Sequence, residues 1–364
     1  MNRFATAAYR ELAAGSSGNL IFSPFNIATA LSMVLAGARG ETANHIEATL
    51  GQAWPEVASL AGDLRKGTAS PSELSIANAL WVEDGYPLES AFRQIVEGRY
   101  GAPLRQVDFV KAAEHARGEI NSWTERETKG KIRELIAPGL VGRDTVMVLT
   151  SAIYFNGKWV SVFRPSGSQA ARFYTHGKET VDAVFMNQTG WFRYGKTATV
   201  QVLEMKYAGT SLVFDVFLPV DYDGLAALEK SLTAAKLAEW LGAAREQDVE
   251  VYLPKFRAES AFSLREQLSR MGMADAFGPG ADFSGMDGRR DLVLAEVIHK
   301  AYVEVTEQGT VAAAATGVTV QRSVAMANAP EPPVFRADHP FLFAIRDSKS
   351  GAIVFEGRVT NPKS

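Results

Sequence analysis

Apolar residues change their spacing once along this chain, and that change calls for a fold with helices first and strands after. Before residue 145 they recur every three to four positions, as at Phe4, Ala8 and Leu12, the spacing of one helix face. Ser23-Pro24 offers an N-cap followed by proline at the first helical position, and the helix it opens is expected to stop near Gly37 or Gly40. Further helical patterns cover residues 41–50, 88–100 and 112–128, each followed by a glycine suited to a C-terminus, with a strand expected at 74–82. From residue 145 the period falls to two, with strands at 145–155, 200–207, 211–218, 249–253 and 292–306 and helices interrupting at 225–241 and 262–271. "DSKSG" joins two closing strands, 341–346 and 352–359, as a hairpin. This order defines the α+β class, and with no internal repeat and no long Gly/Ser/Pro linker one domain over residues 1–364 is expected.

Composition narrows the function. Hydrophobic residues at 46% and charged residues at 22% place the chain among globular proteins and not disordered ones. The net charge of -3, with no Lys/Arg run interleaved with aromatics, argues against a nucleic-acid partner. The longest apolar stretches fall far short of the roughly 20 residues a membrane helix needs, so no membrane partner is expected. Cysteine is absent, which removes disulfides, thiol nucleophiles and thiolate metal sites. The five histidines, His45, His115, His176, His299 and His339, lack metal-ligand spacing, and no cofactor is expected. G-x-S-x-G, P-loop, H-E-x-x-H and G-x-G-x-x-G signatures are all missing, so no catalytic residue is assigned. His299 shares its strand face with Val293, Ala295, Val297, Ala301, Val303 and Val305, and is expected to be a buried, hydrogen-bonded histidine instead of a general base. Met1 leads directly into a helical pattern without an apolar signal core, which leaves the localisation open between an intracellular chain and one whose leader has been removed.

One segment fits none of these elements. Between Glu307 and Arg322 there is no charge, and proline is absent until Pro330. "TVAAAATG" is too short to persist as an isolated helix and too rich in β-branched residues for a flexible linker. As a strand it places Thr310, Ala312, Ala314, Thr316, Val318 and Val320 on one face and Val311, Ala313, Ala315, Gly317 and Thr319 on the other. Both faces can be buried without stranding a charge, and no proline interrupts a ladder. Such a segment is an aggregation hazard if left exposed, so its presence suggests a conditional use: insertion into the protein's own sheet.

"TEQGTVAAAATG" resembles the hinge of the serpin family. "NLIFSPFNIATALSMVLAGARGET", "INSWTERETKGKI", "AIYFNGKW", "YLPKF", "ADFSGM", "VIHKAYVEV", "FRADHPFLFAIRD" and "GAIVFEGRVTNP" resemble serpin segments in the same order, over essentially the whole chain. The resemblance implies a single serpin domain with three β-sheets, about nine helices and an exposed reactive-centre loop at about 307–333. It implies a protease inhibitor and not an enzyme: a target serine protease cleaves the loop, a covalent acyl complex forms, and the freed loop inserts as a central strand. Serpin loop insertion is itself a standing example of strand addition and strain release. A monomer is expected, and the resemblance favours a secreted or extracellular protein.

Residue by residue, Glu307, Gly309, Thr310, Val311, Ala312, Ala313, Ala314 and Ala315 match the hinge, with Val311 where the family commonly has glutamate. Ser23, Asn26, Ser151 and His299 match the shutter, the polar cluster beneath the main sheet. Asn26 stands where serine is frequent and Ser151 where asparagine is frequent, which implies a rewired network. Trp159 matches the tryptophan of the breach, where the loop enters, and Lys255 the lysine that pairs with Glu307. Fourteen residues on from Gly309 the family register places the scissile bond between Ser323 and Val324, whereas counting back from "FRADHPF" falls near Ala329, so the loop is long on its C-terminal side. Arg322 is the only charge between Glu307 and Glu331, which favours a trypsin-like target. Cleavage after Ser323 or Met326 would suit elastase-like or subtilisin-like proteases.

Overall fold

A computed structural model of the chain describes residues 2–51, 56–177, 179–310 and 331–363. Its helices are α1 (Asn2–Ala13), α2 (Pro24–Gly37), α3 (Gly40–Leu50), α4 (Val57–Gly67), α5 (Ser90–Tyr100), α6 (Phe109–Glu127), α7 (Leu225–Ser231), α8 (Ala234–Ala243) and the single turns α9 (Arg265–Leu268) and α10 (Ser284–Asp287). Its strands are β1 (Leu20–Phe22), β2 (Glu73–Glu83), β3 (Leu104–Val107), β4 (Met147–Lys158), β5 (Gln169–Tyr174), β6 (Thr180–Lys196), β7 (Val200–Lys206) and β8 (Leu212–Pro219), followed by β9 (Arg245–Pro254), β10 (Phe256–Ser263), β11 (Glu296–Thr306), β12 (Gly309–Thr310), β13 (Val334–Arg336), β14 (Phe341–Asp347) and β15 (Ile353–Val359). The α+β class holds.

The described strands form a six-stranded sheet, ordered β10-β11-β12-β4-β2-β3, and a nine-stranded sheet, ordered β1-β15-β14-β8-β7-β6-β9-β13 with β5 also on β6. Helix α2 packs on β2 and β4 of the first and on β15 of the second. It is therefore buried nearly all round, as its run of apolar and small residues requires. Its start is fixed locally: the Ser23 hydroxyl accepts the Asn26 N–H at 3.0 Å and Pro24 occupies the first turn. It ends where Ala38 turns extended, and its last residue, Gly37, has no room for a side chain because a Cβ there would meet the Met286 and Phe92 side chains.

Two expected helices differ from the structure. The helix expected over 225–241 divides into α7 and α8, because Leu232 turns extended and the Thr233 hydroxyl accepts the Lys236 N–H at 3.1 Å, capping a new helix. The helix expected over 262–271 begins late: Phe262 still pairs with His299 in the ladder, α9 is one turn long, and Gly272 at φ 114° breaks the helical path beyond it. The longest described strand, β6, has no counterpart among the expected elements, since its exposed positions change face along its length, from Asp182 and Val184 to Thr189 and Trp191, and this blurs the alternation.

Candidate functional site

The unusual segment begins inside the six-stranded sheet. After β11 the chain turns at Glu307 and Gln308, and β12 runs back antiparallel to β11, with Val305 beside Thr310 and Thr306 beside Gly309. On its other side β12 is antiparallel to β4, with Gly309 beside Lys158 and Thr310 beside Gly157. Below this point β11 and β4 pair directly, and in parallel, from Glu296 beside Val148 to Tyr302 beside Tyr154. Two residues thus stand as a wedge between strands that are otherwise closed on each other. Gly309 is required there: its φ is 150°, and a Cβ would strike the Gly157 carbonyl.

The walls of the wedge are aromatic. Trp159 donates its indole N–H to the Thr306 carbonyl at 3.0 Å and its backbone N–H to the Gln308 carbonyl at 3.0 Å. Its ring stacks on Tyr207 with centroids 4.5 Å apart. The Tyr207 hydroxyl meets the Thr310 hydroxyl at 2.5 Å, both side chains fully buried, and burial pushes the Tyr207 phenol well up. Glu307 is held on three sides: its carbonyl accepts the Phe163 N–H at 3.0 Å, while its carboxylate takes the Ser168 hydroxyl at 2.8 Å and the Lys255 ammonium at 3.1 Å. Burial alone would raise its pKa, but its own backbone N–H, Ser168 and Lys255 outweigh that and hold it below the ordinary glutamate value.

Lower in the sheet, where β4 and β11 meet directly, lies the second cluster. His299 and Ser151 are register partners across the parallel pair. The Ser23 backbone N–H donates to His299 Nε2 at 2.9 Å, so that nitrogen carries no proton and Nδ1 donates to the Ser151 hydroxyl at 3.0 Å. Asn26 Nδ2 donates to the same hydroxyl at 2.9 Å, and the Ser23 hydroxyl donates to the Val354 carbonyl at 2.5 Å. The imidazole is neutral, and burial pulls its pKa down to about 3. Asn26 and Asn78 each keep a buried side-chain oxygen without a partner among the described residues. An imidazole whose Nε2 accepts a backbone N–H and whose Nδ1 donates to Ser151 has no nitrogen free to take the serine proton, and it acts as a structural joint between α2, β4 and β11.

The structure brings Ser23, Asn26, Ser151 and His299 into one cluster and Glu307, Gly309, Thr310, Trp159 and Lys255 into another. Val311, Ala312, Ala313, Ala314 and Ala315, and the expected reactive bond at Arg322, Ser323 and Val324, lie outside the described residues. Sequence reasoning missed Tyr207, Phe163, Ser168 and Asn78, because each stands in a different element from the residue it touches and none belongs to a motif. Among the described residues no group of three His, Cys, Asp or Glu side chains is placed to hold a metal ion, and no helix is long and apolar enough to cross a membrane.

Three comparisons bear on this arrangement. The family model described as Serpin (serine protease inhibitor) matches residues 1–362. A leukocyte elastase inhibitor of Xenopus tropicalis is 40% identical over 359 residues, 95% of this chain and 94% of that protein. Among solved structures, uncleaved ovalbumin is similar with a TM-score of 0.90 at 30% identity, covering 99% of this chain and 98% of that one. Human thyroxine-binding globulin complexed with thyroxine has a TM-score of 0.90 at 28% identity, covering 99% of this chain and 97% of that one.

Proposed function

This chain belongs to the serpin family, and from that premise we propose that it is a single-use inhibitor of serine proteases, cleaved in the segment after Thr310 and trapping the acyl-enzyme by inserting that segment between β4 and β11. The observation that carries the reading is the wedge: Gly309 and Thr310 already lie antiparallel to both strands, so insertion has only to continue downward. Continuation exchanges one parallel β4–β11 contact for two antiparallel ones, adding a strand and improving the pairing geometry at once. At about 1 kcal/mol net per hydrogen bond, a dozen residues bonded on both sides would gain on the order of 10 kcal/mol, provided the starting state is kinetically trapped. About 14 inserted residues at roughly 3.3 Å each would carry a bound protease on the order of 45 Å.

In this reading the Trp159, Lys255 and Glu307 cluster is the breach that opens first. The Ser23, Asn26, Ser151 and His299 cluster is the shutter, where β4 must leave β11. Arg322 supports a trypsin-like target, with Ser323 and Val324 on either side of the family register's bond; the elastase inhibitor likeness supports the alternative of cleavage beside small or apolar residues. A carrier reading draws support from the likeness to the thyroxine-binding globulin, and the uncharged, proline-free stretch 309–320 weighs against it. Mixing the protein with trypsin, elastase and subtilisin decides between them. A denaturant-resistant complex on a gel is expected, and cleavage by all three with neither complex nor a rise in thermal stability would defeat the inhibitor reading.

A further inference from the structure

The upper end of β4 is held from outside its own sheet. Its last two residues, Gly157 and Lys158, stand beside β12 on the seam side. Lys158 nevertheless directs both of its backbone groups elsewhere: its N–H donates to the Ser72 hydroxyl at 3.2 Å, and its carbonyl accepts the Ala208 N–H at 2.7 Å. The Ser72 hydroxyl in turn donates to the Ala208 carbonyl at 2.6 Å. Ser72 is 4% exposed, so one buried hydroxyl, using its proton and one lone pair, joins β4 to the turn between β7 and β8. The junction extends to either side. The Val160 N–H donates to the Lys206 carbonyl at 2.9 Å, the Ala69 N–H to the Gly209 carbonyl at 2.8 Å, and the Thr68 and Thr210 hydroxyls lie 3.1 Å apart. Gly209, at φ 73°, admits the close approach, since a Cβ there would strike the Ala69 carbonyl.

We propose that Ser72 is a positioning residue for strand insertion: it pins the top of β4 to the nine-stranded sheet, so that the gap beside Gly309 and Thr310 stays one strand wide before any cleavage. The inference rests on the inhibitor function proposed above and adds to it the part that keeps the entrance open. The separation of the strands argues for this. β4 stands apart from β11 at the level of the junction, whereas from Tyr154 down to Val148 the two pair directly. Below Lys158, among the described residues, neither β4 nor β2 is hydrogen-bonded to the nine-stranded sheet. Because Lys158 is fully paired without β12, the junction sets the width of the gap and β12 fills it.

The consequence for insertion follows from where these bonds lie. A further strand needs the lower part of β4 to move out by about one strand spacing, roughly 4.8 Å, while Gly157 and Lys158 already stand at that separation. With the top fixed, movement is confined to the stretch from Tyr154 to Val148, about 20 Å of strand. Without the Ser72 hydroxyl, the Lys158 N–H and one bond to the Ala208 carbonyl are lost together, inside a buried junction. The upper end of β4 is then free to close towards β11, and insertion has to reopen the entrance first. Insertion competes with release of the acyl-enzyme, so a slower first step diverts cleaved chain from complex to product.

Two measurements on the full chain test this: the share of cleaved chain that ends in complex with trypsin or elastase, and hydrogen exchange at the Gly309 and Thr310 amides of the uncleaved chain. With whichever protease the parent chain traps, Ser72→Ala should leave the association rate within about twofold and lower the trapped share by about half or more. Exchange at the two amides should quicken about fivefold or more. Ser72→Thr, which keeps the hydroxyl, should restore both, and Thr68→Val, which loosens the same loop without touching β4, should match the parent. A lower melting temperature in Ser72→Ala with unchanged share and exchange overturns the proposal, since the serine is then merely structural. Equal losses in Thr68→Val overturn it as well, by assigning the effect to the loop as a whole. If the parent chain traps no protease, the inhibitor reading falls, and exchange alone decides the pin: faster exchange in Ser72→Ala upholds it and unchanged exchange overturns it.

Discussion

The hydroxyls of Tyr207 and Thr310 meet in full burial at the point where β12 enters between β4 and β11. The contact ties β12 to the end of β7, a strand of the nine-stranded sheet. Removing it in Tyr207→Phe leaves the ring stack on Trp159 intact and costs about 1 kcal/mol of hydrogen bonding at the hinge. Hydrogen exchange at the Gly309 and Thr310 amides should speed up about fivefold, and exchange unchanged from the parent protein would show that the pair contributes nothing.

Gly309→Ala should expel the hinge from the sheet. The φ of 150° and the nearby Gly157 carbonyl leave no room for a methyl group, a local cost of about 1–3 kcal/mol. Because Trp159 holds the carbonyls of Thr306 and Gln308, its fluorescence should report the change. A spectrum and stability matching the parent protein would refute the strain argument.

Thr310→Arg should convert an inhibitor into a substrate. Thr310 is fully buried now, and each further step of insertion would keep a guanidinium there without a partner. On a gel the cleaved chain should replace the protease complex; an unchanged complex yield counts against insertion.

Two buried groups set opposite pH trends. The His299 pKa is pulled down to about 3, so its contribution to stability is present above the ordinary histidine value and is lost as pH falls from there. Glu356 on β15 is fully buried with one carboxylate oxygen unpartnered among the described residues, and burial pushes its pKa up to about 8. A carboxyl with a raised folded pKa favours folding below its unfolded value and loses that contribution as pH rises towards 8. Of these two groups it is the glutamate that changes most between about pH 6.5 and 8, so its contribution should fall there. Glu356→Gln should flatten that slope, by about 2 °C or more in Tm across the interval. An identical slope in parent and variant would rule the carboxyl out as the cause.

Arg322→Ala tests the bait. Inhibition of trypsin should fall by at least tenfold while inhibition of elastase is retained, since only a trypsin-like pocket carries an acid for the guanidinium. Equal losses, or none, would move the reactive bond elsewhere.

Much of this was legible in one dimension. The change of period near residue 145 announces α+β, and the strand expected at 145–155 is the observed β4, buried from end to end except near Asn156 and Lys158. His299 reads as buried from its neighbours on alternate positions and is buried. Lys255 and Glu307 follow from motifs and form the expected pair. By contrast, 225–241 reads as one helix because its apolar period runs on through Leu232, and only the Thr233 cap shows the break.

The sequence by itself determined which segment can be buried as a strand, because lack of charge and lack of proline over residues 309–320 are properties of composition and need no partner. The seam proposed to receive it is a product of tertiary structure alone. The seam exists because β4 and β11, about 140 residues apart in sequence, pair in parallel below a two-residue wedge, and because Tyr207, Ser168 and Lys255 converge on that wedge from three different segments. Convergence of that kind depends on chain reversals and sheet order, and no local periodicity records it.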